Sequence, residues 1–298
     1  MELERVDPTL RDAVTRMRGV GIERRLGRAI GRVAPRLVRF PRTPGVRIAS
    51  ARVGGVRVRT YQPARSRTDA VLLWVHGGGM LIGAPHIDDQ LCTETADRLG
   101  LRIVSVDYRL TPEHPFPAPL DDCARVWTGL VERGERRIAI GGQSAGAGLA
   151  AALAQRLLDE GGQQPIAQLL LCPMLDDRTA ADTARDGEEH LVWDNRSNRL
   201  GWRSFLGLEP GAATVPAHAV PARRADLAGL PPAWIGVGDI DLFHDEDVAY
   251  AERLRAAGVD VDLVIVPGAP HGFESIAADA ELSRTHRAAA QAWLATRI

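Results

Sequence analysis

Lysine is absent: all 37 basic residues of the 298-residue chain are arginine. A functional demand for arginine would not reach every surface position, so this reads as genomic bias and carries little chemistry. Cysteine is scarce. Cys92, Cys123 and Cys172 are far apart and odd in number, which excludes a disulfide framework and any zinc-ligand spacing. We expect three buried or half-buried, reduced thiols in a cytoplasmic protein. No long hydrophobic run exists either. The longest uncharged stretch, Ile138–Gln155, holds four glycines, two glutamines and a serine, and is no membrane span. Charge of one sign is also missing, since 38 acids offset the bases to a net charge of −1. No global field therefore points to nucleic acid, and no nucleic-acid partner is expected. The opening residues Met1-Glu-Leu-Glu-Arg lack the apolar region of a secretory signal.

What is present is a soluble composition, 45% hydrophobic and 25% charged, that can bury a sizeable core. The first 45 residues read as helices broken by Gly and Pro, with Asp7-Pro8-Thr9 as a cap and Gly21–Val33 in helical style. Ten arginines and one acid, Glu23, lie between Arg16 and Arg47, interleaved with Val20, Ile22, Leu26, Ile30 and Val33. Such a segment could rest on an anionic membrane. We instead expect it to pack its apolar side on the body and leave the arginines in water, so membrane contact is not expected.

Strand patterns follow. Arg47–Val53 and Val56–Tyr61 alternate apolar and polar residues around Gly54-Gly55, a hairpin signature. The runs Ala70–Val75, Leu101–Asp107, Arg137–Ile140, Ile166–Cys172, Ala233–Val237 and Val261–Val266 alternate with helical stretches at Ile87–Leu99, Leu120–Arg133, Ala145–Asp159, Glu246–Ala257 and Asp279–Ile298. The expectation is an α/β fold with an eight-stranded, mostly parallel sheet flanked by helices. From Asp176 to Pro232 no strand is evident, and an insertion of that length reads as a lid or cap.

The chemistry is carried by three short segments. Gly142-Gln143-Ser144-Ala145-Gly146 joins a strand to a helix, where small residues allow a sharp turn and the helix N-terminus sets free amides beside a serine nucleophile. His76-Gly77-Gly78-Gly79 follows another strand. Three consecutive glycines are costly in chain entropy, and make sense where backbone amides must approach an oxyanion. A phosphate-cradling turn is the weaker reading, because no Gly-Lys-Ser/Thr accompanies it. A serine needs a base and a group to orient that base. His271, after the last strand, supplies the first; Asp239 and Asp241, after the preceding strand, both offer the second, and spacing does not choose between them. No pair of histidines has ligand spacing with a supporting carboxylate, so neither a metal nor a cofactor is expected. Asp107, Tyr108 and Arg109 read as a structural turn, and Trp193 and Trp202 as either acyl-pocket or cap-core residues.

From about Arg47 onward the chain resembles the bacterial hormone-sensitive-lipase family (family IV) of α/β-hydrolase esterases. The likeness rests on His76–Gly79, Asp107-Tyr-Arg-Leu-Thr-Pro-Glu-His-Pro-Phe-Pro117, Gly142–Gly146, Asp241-Leu-Phe-His-Asp-Glu246 with Ala249–Leu254, and His271-Gly-Phe273. The resemblance selects Asp241 over Asp239. It implies Ser144 as nucleophile, His271 as base and Asp241 as its orienter. Gly78, Gly79 and the Ala145 amide would then form the oxyanion hole, with His76 and Gly77 shaping the loop. It further implies hydrolysis of short- to medium-chain acyl esters and a homodimer built through the last strand. Residues 1–44 and about 176–232 would serve as a helical cap on a catalytic domain spanning 45–298. An amidase, lactonase or deacetylase with the same triad, or a non-catalytic binder on the same fold, are the alternatives. The chain departs from the family at Gln143, where an acid is usual, and at Met80, Ala147 and Leu242.

Overall fold

The computed structural model describes residues 3–16, 25–38, 40–188 and 190–298. Its centre is one eight-stranded sheet in the order β1-β2-β4-β3-β5-β6-β7-β8. The strands are β1 (Arg47–Val53), β2 (Val56–Gln62), β3 (Val71–Val75), β4 (Arg102–Val106), β5 (Ile138–Gln143), β6 (Gln168–Leu171), β7 (Ala233–Gly238) and β8 (Val261–Val266). β1 and β2 form the expected hairpin, and β2 runs antiparallel to β4. Every later pairing is parallel. β5 continues to Gln143, three residues beyond its expected end, so the turn at Ser144 is tighter than the sequence implied.

Parallel strands buried on both faces need apolar residues at every position, and β3 and β5 are buried throughout. Their alternation sorts the core into two layers. Leu73 and Val75 join the larger cluster on one face, while Leu72 and Trp74 join a second cluster on the other. The helices are α1 (Arg11–Arg16), α2 (Arg25–Leu37), α3 (Asp89–Leu99), α4 (Ala118–Glu132), α5 (Ala145–Glu160), α6 (Asp177–Ala181), α7 (Asn195–Leu206), α8 (His244–Ala256), α9 (Phe273–Ile276) and α10 (Glu281–Ala295). α6 and α7 arise within the 176–232 insertion, where no strand occurs among the described residues. α7 is tied to the body where the Phe116 N–H donates to the Phe205 carbonyl at 2.7 Å, and the chain re-enters the sheet at β7.

The N-terminal segment corrects one expectation. Asp7 does cap a turn, accepting the Thr9 N–H at 2.8 Å, but α1 begins only at Arg11. Val6, Leu10 and Val14 then pack against Phe273 and Ile240 in a third cluster. α2 packs the opposite way round from the expected one. Leu26, Ile30, Val33 and Leu37 are exposed, at 71%, 51%, 52% and 82%. The side turned to the body carries Arg32, whose guanidinium donates to the carbonyls of Leu81 (2.8 Å) and Thr111 (2.6 Å) and pairs with Glu113. Three acceptors fixed in one place outweighed burial of the apolar stripe. Val20 and Ile22 lie outside the described residues. No helix among the described residues is long and apolar enough to cross a membrane.

Candidate active site

Ser144 stands between β5 and α5 with φ 56° and ψ −124°, a conformation that L-residues rarely adopt. It is held there by its neighbours. Its amide donates to the Leu171 carbonyl at 2.8 Å, and its carbonyl accepts from Gly148 and Met174 at 3.0 and 3.1 Å. The flanking glycines are a steric requirement: a Cβ at Gly146 would overlap the carbonyl oxygens of Val75 and His76, and one at Gly142 would press into the Gly146 backbone. The first turn of α5 leaves amides without intrahelical acceptors beside the hydroxyl.

Two other strand ends bring partners to this serine. His271 follows β8 and its Nε2 lies 2.8 Å from Ser144 Oγ, while its Nδ1 lies 2.8 Å from Asp241 Oδ2. With the imidazole neutral, Nδ1–H donates to the carboxylate and Nε2 accepts from the serine hydroxyl. The other oxygen of Asp241 accepts the Phe243 N–H at 2.9 Å. Asp239, the rival candidate, instead accepts the Gly268 N–H at 2.7 Å on the surface. All three relay residues are 4–6% exposed. Burial pulls the His271 pKa down, but the charge and hydrogen bond of Asp241 and the nearby Glu274 outweigh it, and the net shift is upward.

The glycine loop packs against the elbow. A Cβ at Gly77 would meet the Gln143 carbonyl oxygen at 3.1 Å. Gly78 (φ 115°) and Gly79 (φ 60°) occupy backbone conformations closed to most side chains. His76 is fully buried, and burial lowers its pKa to about 4 although Nδ1 is bonded to the Gly77 carbonyl at 2.8 Å. It therefore stays neutral and steadies the loop. Tyr108 stacks on its ring at 4.3 Å and donates its hydroxyl to the His76 carbonyl at 2.9 Å. The segment that showed no chemical role in the sequence thus braces the loop, and Arg109 anchors that brace through Asp122 at 2.8 Å.

Several neighbours were not foreseen. Gln143 donates to Glu274 Oε1 at 2.8 Å and to Ser275 Oγ at 2.9 Å, tying the elbow to the segment that carries His271. Glu274 is buried, and burial raises its pKa. Cys172, Asp241 and His271 have donor atoms all within 4.8 Å of one another, a grouping the sequence reading had not assembled. All three cysteines are free and buried. Trp193, which the sequence offered as an acyl-pocket or cap-core residue, lies over the loop with its ring centroid 6.5 Å from that of His271. Its spacing to the other site residues gave no signal, because the contact joins loops that only the fold brings together. Glu274 stands three residues after His271, but its contact with Gln143 could be read only if the two loops were known to touch.

Residues 72–275 match a family described by the alpha/beta hydrolase fold. The chain is 37% identical over 248 residues to carboxylesterase NlhH of Mycobacterium tuberculosis, covering 78% of this chain and 77% of that protein. Among solved structures it is similar to a bacterial heroin esterase, with a TM-score of 0.90 at 33% identity over 99% of this chain and 98% of that one. It is also similar to an esterase of the bacterial hormone-sensitive lipase family, with a TM-score of 0.85 at 29% identity over 98% and 99% of the two chains. The chain belongs to the hormone-sensitive-lipase family of esterases within the α/β-hydrolase superfamily.

Proposed function

We propose that Ser144, His271 and Asp241 are the catalytic triad and that the amides of Gly78, Gly79 and Ala145 form the oxyanion hole. The enzyme is a carboxylesterase. His271 takes the Ser144 proton as Oγ attacks the ester carbonyl, and the tetrahedral oxyanion is held by the amides. His271 then returns the proton to the departing alkoxide, leaving an acyl-Ser144 ester. Water, deprotonated by the same imidazole, repeats the attack and frees the acid. Asp241 keeps Nδ1 protonated and stabilises the imidazolium in both halves. The observation that carries this reading is the unbroken relay of two 2.8 Å contacts ending on a strained, buried serine. Hydrolysis of p-nitrophenyl esters from acetyl to palmitoyl tests it: short chains are cleaved by the wild type, and Ser144→Ala removes the activity. Equal rates in both proteins would refute it.

Residues 1–44 and 176–232 serve as the cap, supported by the seat of α2 on Glu113 and by the position of Trp193 over the glycine loop. Two copies pair through β8, which ends the sheet with one edge unpaired and Ile265 42% exposed. Three free thiols accord with a reducing compartment, the cytoplasm. No cofactor enters the scheme.

A further inference from the structure

Trp193 packs directly against the glycine loop. A Cβ on Gly79 would overlap its indole at Cη2 and lie 2.6 Å from Cζ2. The ring therefore rests directly on the Cα of that glycine. Gly201 on α7 faces the same place: a Cβ there would come within 3.1 Å of the Gly79 carbonyl oxygen and 3.7 Å of the indole. Two glycines on separate elements thus make room for one ring. The ring is 7% exposed, and its buried N–H has no hydrogen-bond partner among the described residues. The backbone that presents it is also unusual. The Trp193 N–H donates to the Leu191 carbonyl at 2.9 Å across Val192, whose φ is 75°. A β-branched residue in that region is rare and strained, and this one is 37% exposed, so its own side chain gains little there. Leu191 is buried against the N-terminal cluster, which fixes the turn.

A tetrahedral carbon on Ser144 Oγ, with its oxyanion on the glycine amides, must point its leaving oxygen toward His271. Its acyl substituent leaves the carbon in the remaining direction, away from both, and the indole, packed on Gly79 with its centroid 6.5 Å from that of His271, borders the space beside that carbon. We infer that Trp193 is the residue that limits acyl-chain length, confining the enzyme to short acyl groups. This inference rests on the esterase reading above.

The test is the ratio of kcat/KM for p-nitrophenyl octanoate to that for the acetate, in wild type, Trp193→Ala and Trp193→Phe, with Ser144→Ala as blank. Removing the ring should raise the ratio by about ten-fold or more, the worth of added room for methylenes in an apolar pocket. Trp193→Phe should fall between. A parallel series of alkyl acetates, which varies only the alcohol, should change little. An unchanged octanoate-to-acetate ratio in either folded variant overturns the inference, as does a gain confined to the alcohol series. Uniform loss across all chains would make the ring merely structural and overturn it too. If the wild type shows no Ser144-dependent hydrolysis at any chain length, the esterase reading itself fails and takes the inference with it.

Discussion

The behaviour of His271 depends on which of its surroundings prevails. Burial disfavours the imidazolium, while Asp241 at 2.8 Å favours it, and the carboxylate wins. Because only the neutral ring can accept the Ser144 proton, activity must fall as pH drops through a pKa raised above the ordinary 6.5. The acid limb of kcat/KM should therefore be centred above 6.5. In Asp241→Asn the main raising influence is gone while burial and the smaller pull of Glu274 remain, so the limb should move to lower pH while kcat falls about 10⁴-fold. Matched pH–rate profiles of the two proteins check this, and an unmoved limb would dissociate Asp241 from His271. At this scale the sequence was informative wherever a proposed reacting group sits next to a strand end: Ser144, Asp241, His271 and the glycine loop each belong to a local turn. Gln143 and Glu274 stayed hidden, since a hydrogen bond across 131 residues leaves no local pattern.

At the scale of elements, strands were easier to read than the orientation of helices. A parallel strand buried on both faces, such as Val71–Val75, announces itself by composition alone. Amphipathicity gives a helix two faces without saying which meets the body. At the entry to α1, Leu10 is wholly buried beside Val6, Val14 and Phe273, and its environment is ordinary apolar packing. In α2, Arg32 and its three acceptors decide the matter, and Ile30 faces water. The two helices should therefore answer mutation differently. Leu10→Ala should cost about 2–5 kcal/mol through transfer and cavity effects. Ile30→Ser should stay within about 0.5 kcal/mol, as an exposed position does. Urea unfolding of both variants measures the contrast, and a large loss from Ile30→Ser would mean that its face is covered in solution.

For the whole molecule, the sheet does the positioning. Ser144, Asp241 and His271 are 97 and 30 residues apart in the chain, yet each follows the carboxyl end of a parallel strand, so the sheet gathers them along one edge. The same sheet ends at β8, whose outer edge has no partner strand among the described residues, the basis for the proposed dimer. Ile265→Arg should halve the mass found by sedimentation equilibrium by placing like charges across the twofold. A wild type that sediments as one chain would rule the dimer out. The account stands or falls on the acyl-enzyme. Stopped-flow mixing with p-nitrophenyl acetate, followed by rapid acid quench and intact-mass analysis, observes it directly. A burst of p-nitrophenol and one acetyl group on the peptide containing Ser144 are expected, with neither seen in Ser144→Ala. Turnover with no added mass, or an acetyl group on another residue, would contradict it.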